Sequence, residues 1–237
     1  MLQFHDKLAR QNRGRYKQLI LEDGASFYAP LNETSGTFIA DISGNGAVGT
    51  LNGGTLSYIG CPAGLGTPAA YFANTAGHNV TFPTSTAIHP SGSFTLECWA
   101  YMLDTNPHEF MCKGTTEFAG APSGTDFELG YVGGSTYLQF YTGSGAATFS
   151  TASPGINLWV HYMARWISST EYAIFQNGVK ASTTSSVAST IGSSSGNLKL
   201  SGVTYRTIGY LAHCAIYQKP LSDGQCLNHY RVALGAA

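Results

Sequence analysis

The chain has 237 residues, 43% of them apolar and only 11% charged, with a net charge of −1. A globular chain usually carries about 25% charged residues, and here Gly, Ser and Thr take their place, with 29 Gly alone. The apolar and aromatic fractions suffice for a sizeable core, which excludes a disordered chain. No apolar run approaches the ~20 residues of a membrane span, and residues 1–15 lack the apolar stretch of a cleavable secretory signal.

Charge is distributed unevenly. Residues 1–20 hold Lys7, Arg10, Arg13, Arg15 and Lys17 against Asp6 alone, a balance of +4, and the remainder stands at −5. Leu8, Tyr16, Leu19 and Ile20 predict a helix over 7–22, or one beginning near Arg15 if Gly14 interrupts it, with Gly24 as the stop. We read 1–24 as a basic arm and helix and 25–237 as one domain. The five basic residues are candidates for anchoring an acidic partner subunit; a solvated helix face is the plain alternative. Aromatics in the arm are too few for base stacking, so no nucleic acid is expected.

From Ser26 onward the pattern is of strands. Short apolar or alternating runs lie at 26–29, 69–72, 79–82, 93–100, 127–131, 136–141, 159–166, 171–175, 179–182, 198–200 and 208–217. Turn residues separate them, and Asn177-Gly178 is a hairpin signal. This spacing predicts an all-β, two-sheet antiparallel sandwich. In 93–101, Phe94, Leu96, Cys98 and Ala100 share one face while Thr95, Glu97, Trp99 and Tyr101 share the other. Bulk on both faces marks a central strand that is covered on both sides or lines a groove. Near the end, Ser222 with Gln225 predicts a capped helix. Cys61, Cys98, Cys112, Cys214 and Cys226 form no C-x-x-C pair and are odd in number, so free thiols are expected.

Several segments resemble, in order, the laminin-G-like branch of the concanavalin A-like lectin/glucanase jelly rolls. Asp41-Ile42-Ser43-Gly44-Asn45-Gly46, followed by Gly49-Thr50-Leu51, resembles a loop of that family nearly residue for residue. Ser93 to Ala100, Trp159-Val160-His161, Phe175 to Val179 and Ile216-Tyr217 through Leu221-Ser222 resemble its later strands. The resemblance implies a curved jelly roll with an N-terminal arm or helix and a short C-terminal helix. It also raises calcium at the sheet rim, for which Asp41, Asn45 and Asp126 are the weak candidates; an Asx-turn clasp is the competing reading of Asp41. No other cofactor is expected.

Related glucanases place carboxylates two residues apart on one strand, as glycoside hydrolysis requires a pair. Here Glu97 stands between Thr95 and Trp99, so no catalysis is expected. The seven histidines show no i, i+4 pair that would suggest catalytic zinc, and His161 reads as a core residue. Two non-enzymatic readings remain. The helix Tyr16 to Gly24 ahead of such a domain resembles those of bacteriophage structural proteins. That implies a virion component, a capsid decoration or tail-associated protein assembled in the host cytoplasm, with capsid or tail subunits and copies of itself as partners. The alternative is a carbohydrate-binding module of a non-viral protein. In either setting, Trp99, Tyr101, Tyr137, Tyr141 and Trp166 are candidates for stacking on a glycan.

Overall fold

In the computed structural model, the described residues are 14–57, 61, 62, 65, 69–115, 125–132, 137–142, 145–150, 155–183 and 191–236. They form two antiparallel sheets. The first runs, in spatial order, β14 (Val179–Lys180), β13 (Tyr172–Gln176), β12 (Trp159–Trp166), β7 (Phe94–Met102), β17 (Gly209–Tyr217), β5 (Ala69–Phe72) and β4 (Thr55–Ser57). β1 (Phe27–Ala29) also pairs with β17. The second runs β15 (Ser182–Thr183), β11 (Gly145–Ser150), β10 (Tyr137–Thr142), β9 (Thr125–Val132) and β8 (His108–Gly114). It continues through β16 (Leu198–Leu200), β6 (Asn79–Phe82), β3 (Val48–Asn52) and β2 (Phe38–Ala40). The architecture is the two-sheet antiparallel sandwich that the strand spacing predicts, consistent with the jelly roll that the resemblance implies.

Alternation on β7 creates two cores. Phe94, Leu96, Cys98, Ala100 and Met102 face the second sheet and join the main inter-sheet core. Trp99 belongs to a separate cluster on the outer face of the first sheet. Two helices cover that face: α1 (14–22) through Tyr16 and Ile20, and α2 (Asp223–Ala233) through Cys226, Val232 and Ala233. α1 stops as expected at Gly24, whose φ of +73° suits a residue without Cβ. α2 begins with the Ser222–Gln225 capping box. The hairpin between β13 and β14 turns on Asn177 and Gly178 at φ +53° and +73°, the primed geometry that matches strand twist. All five cysteines are free. No described helix is long and apolar enough to cross a membrane.

One irregularity positions the functional groups. The register of β17 against β7 shifts between Ala212 and Ala215, with His213 at φ +52°. This bulge inserts a residue and resets the alternation, so Tyr210, Ala212, Ala215 and Tyr217 all belong with the helix-covered side. The six strands at 38–40, 48–52, 55–57, 108–114, 145–150 and 182–183 are absent from the sequence reading. β8 escapes it because His108, Glu109 and Lys113 are all buried, which erases the polar alternation of a strand.

Candidate functional site

Glu97 lies at the centre of the helix-covered face, fully buried. Its Oε1 accepts from Tyr16 Oη at 2.5 Å, His161 Nε2 at 2.8 Å and His229 Nδ1 at 3.0 Å. Its Oε2 accepts from Tyr217 Oη at 2.5 Å and shares the His229 proton at 3.0 Å. On its other edge, His229 Nε2 donates to Asp23 Oδ2 at 2.9 Å. A ring that donates from both nitrogens is an imidazolium. Burial alone would lower the His229 pKa, but the charge of Glu97 and the bonds to Glu97 and Asp23 outweigh it and raise it to about 9. Burial likewise opposes ionisation of Glu97, yet the His229 charge and the bonds from His161 and His229 hold it well below the usual carboxylate range. His161 is lowered by burial and stays neutral.

Glu97 therefore fastens α1 through Tyr16, α2 through His229, and β17 through Tyr217. Trp99 Nε1 donates to Tyr16 Oη at 2.9 Å, and its ring stacks on His161 with centroids 4.9 Å apart. Trp99 is 1% exposed and Trp166 is 7% exposed. Neither presents an open ring face to a glycan, which corrects the sequence reading. Trp99 is sealed under the helices, and Trp166 packs beside Phe94 in the inter-sheet core. The side chains of Tyr137 and Tyr141 lie outside the described residues, as do Lys7, Arg10 and Arg13. Arg15 and Lys17 are exposed on α1.

Beyond the helices the same face carries a row of rings. Trp159 pairs with Tyr101, Tyr101 with Tyr210, and Tyr210 with Tyr71, in register on four neighbouring strands. All four are half-buried. Their centroids are 5.7 Å apart for Trp159–Tyr101, 5.8 Å for Tyr101–Tyr210 and 5.0 Å for Tyr210–Tyr71. Three gaps between strands span about 14 Å. Of these rings the sequence reading named only Tyr101 as a glycan contact. The other three become visible only once strand register is known.

The metal candidates are not brought together. Asp41 Oδ1 accepts the backbone N–H groups of Tyr28 and Ser43, both at 2.9 Å, and Oδ2 accepts that of Ala47 at 3.3 Å. Asn45 Nδ2 donates to the Ser26 carbonyl at 2.8 Å. This is a loop clasp whose carboxylate oxygens face N–H donors, a poor fit to the oxygen cage of calcium. Asp126 is fully buried elsewhere, on β9, where Lys113 Nζ lies 2.7 Å and His89 Nδ1 3.1 Å from its Oδ2. A different trio, Glu109, Cys112 and Glu128, brings ligand atoms within 4.8 Å of one another in the interior.

Comparisons with known proteins agree with this architecture. Solved structures with the same fold include the binding domain of botulinum neurotoxin serotype G, at TM-score 0.66 and 14% identity over 87% of this chain and 50% of that one. The binding domain of Paraclostridial Mosquitocidal Protein 1 matches at 0.66 and 14%, over 89% and 52%. The botulinum serotype D domain, solved with N-acetylneuraminic acid, matches at 0.63 and 11%, over 88% and 51%. The chain thus spans about half the length of these domains, and at such identities the likeness concerns the fold. No curated protein matches the sequence. Residues 74–226, well over half of the chain, match the model of the concanavalin A-like lectin/glucanases superfamily. The chain belongs to that superfamily.

Proposed function

We propose that the chain is a non-catalytic, lectin-like recognition domain that holds a glycan on the outer face of its first sheet. The observation that carries this reading is the row Trp159–Tyr101–Tyr210–Tyr71, half-buried and in register across four strands. Sugar rings stack on aromatic faces, and three phenols with an indole N–H supply the polar groups that fix orientation. A row about 14 Å long suits a short oligosaccharide running across the strands. Hydrolysis would need a second carboxylate beside Glu97, with both open to substrate. Glu97 is instead buried, with Thr95 and Trp99 flanking it on its face. The solved neurotoxin domain that carries N-acetylneuraminic acid supports a glycan as the ligand class.

As its setting we favour the surface of a bacteriophage particle, supported by the basic N-terminal sequence and the exposed Arg15 and Lys17. Screening the protein against immobilised oligosaccharides, with reducing-end release measured in parallel, tests the function. Binding without release is the expected result; release that Glu97→Gln abolishes would overturn it. For the setting, Arg15→Gln with Lys17→Gln should weaken attachment to particles most at low salt. Unchanged attachment would favour a module of a non-viral protein.

A further inference from the structure

At the opposite end of β7, the connection from β6 to β7 faces the irregular segment 191–196 across a two-lobed hollow. One lobe, of about 400 Å³, has Pro90 and Ile191 as apolar walls, with the barely exposed Trp166 beside them. The other, of about 470 Å³, is lined by Thr84, Ser85, Thr86 and Gln218 on one side and by Ser193, Ser194 and Ser195 on the other. His89, Ser91 and Ser193 line both, which makes them one hollow with the imidazole at its junction.

The imidazole is held from behind. His89 is 27% exposed, and its Nδ1 donates to the buried Asp126 carboxylate at 3.1 Å. This leaves Nε2, on the opposite edge of the ring, for a ligand hydroxyl. The serine rim is held by the same carboxylate. Ser194 N–H donates to Asp126 Oδ1 at 2.6 Å, and Lys113 Nζ donates to the carbonyls of Ser194 at 3.2 Å and Gly196 at 3.0 Å. Gly192 lies so close that a Cβ there would fall 2.7 Å from Asp126 Oδ1. A buried ion pair is weak evidence for stability, because desolvation offsets its attraction. Here it holds the backbone of Ser194 and Gly196, in a segment that no regular secondary structure supports, which is the preorganisation a binding site needs.

From this we infer that the hollow is a subsite for one neutral pyranose unit, with its apolar face on Pro90 and Ile191 and its hydroxyls on His89 and the serines. The inference rests on the glycan-recognition reading and adds a second place of contact. Its neutral ligand follows from the lining, which among the described residues includes no Lys, Arg, Asp or Glu. The Lys113 charge is engaged by Asp126. Seven residues of β7 separate Phe94, beside Trp166, from Tyr101 in the aromatic row, a distance of about 23 Å.

Saturation-transfer NMR with neutral methyl glycosides of hexoses and N-acetylhexosamines tests the subsite. At least one glycoside should receive saturation from the wild-type protein. His89→Ala should weaken its binding about tenfold, the effect of losing one good hydrogen bond. Ser91→Trp, at an exposed position on the rim, should abolish it by filling the junction. Equal binding by both variants would overturn the subsite. So would silence of every glycoside with wild-type protein that still binds longer oligosaccharides, and in that case the general reading would stand. Failure to bind glycans of any length would overturn both.

Discussion

Glu97 and Asp126 are both fully withdrawn from water, and the difference between them lies in where their partners lead. Every donor to Glu97 is itself buried: Tyr16, Tyr217, His161 and His229. Asp126 is bound by buried Lys113 on one side and by partly exposed His89 on the other. The first carboxylate closes a region by drawing two helices and a strand onto one sheet. The second holds an imidazole and a serine-rich loop at the edge of a hollow. The carboxylate whose donors end inside the protein serves packing, and the one with a partly exposed donor borders the proposed subsite.

Removing each carboxylate's partners separates the two roles. Glu97→Ala should cost about 3–5 kcal/mol, because it strands the buried imidazolium of His229. Denaturant unfolding measures the cost, and a red-shifted Trp99 emission should report that the helices have loosened. A cost under about 1 kcal/mol would mean that apolar packing alone holds them. Lys113→Met leaves Asp126 with an uncompensated charge and should cost about 3 kcal/mol, but its effect should be local. Hydrogen exchange should accelerate over residues 192–196 while protection of α1 and α2 persists. If the helices lose protection as well, the two regions are not independent.

Titration sharpens the contrast further. His229 has its pKa raised to about 9 from an ordinary 6.5, so its contribution is complete below 6.5 and is lost as pH rises through 9. Glu97 is depressed, so its contribution is present above its ordinary 4.5 and is lost only as pH falls well below that. Stability from this network should therefore be greatest between 4.5 and 6.5 and decline toward pH 9 and beyond. His229→Gln should flatten the alkaline limb of a melting-temperature profile. The smallest effect belongs to the Asp41 loop. With its oxygens on backbone N–H donors, a chelator should leave the melting temperature unchanged, and a drop above about 5 °C would point to a bound cation instead.

Much of this was legible in the residues. Alternation on 93–101 marked a central strand, covered on both faces or lining a groove, and Ser222 with Gln225 announced α2. His161 read correctly as a core residue. What stayed hidden depended on contacts distant in sequence. Tyr217 reaches Glu97 only because the bulge at His213 shifts the alternation of β17, and no local pattern announces that shift. Trp99 and Tyr101 lie on one face of one strand, yet the helices cover the first and stop short of the second. Lys113 sits on a strand whose buried polar groups imitate a loop, and Asp126 lies just outside the run at 127–131 that reads as a strand. The sequence names the rings and charges, but strand register decides which of them meet.

The central claim is that the aromatic row holds a glycan. Its most direct test is to titrate the oligosaccharide that binds best in the screen into wild-type protein and into a Tyr101→Ala/Tyr210→Ala double variant. Intrinsic fluorescence, in which Trp159 lies within the row, gives the affinity. The double variant should bind at least about fivefold more weakly, since each stacked ring contributes about 0.5–1.5 kcal/mol beyond area burial, with the melting temperature little changed. Equal affinity of the two proteins, with both folded, would contradict it.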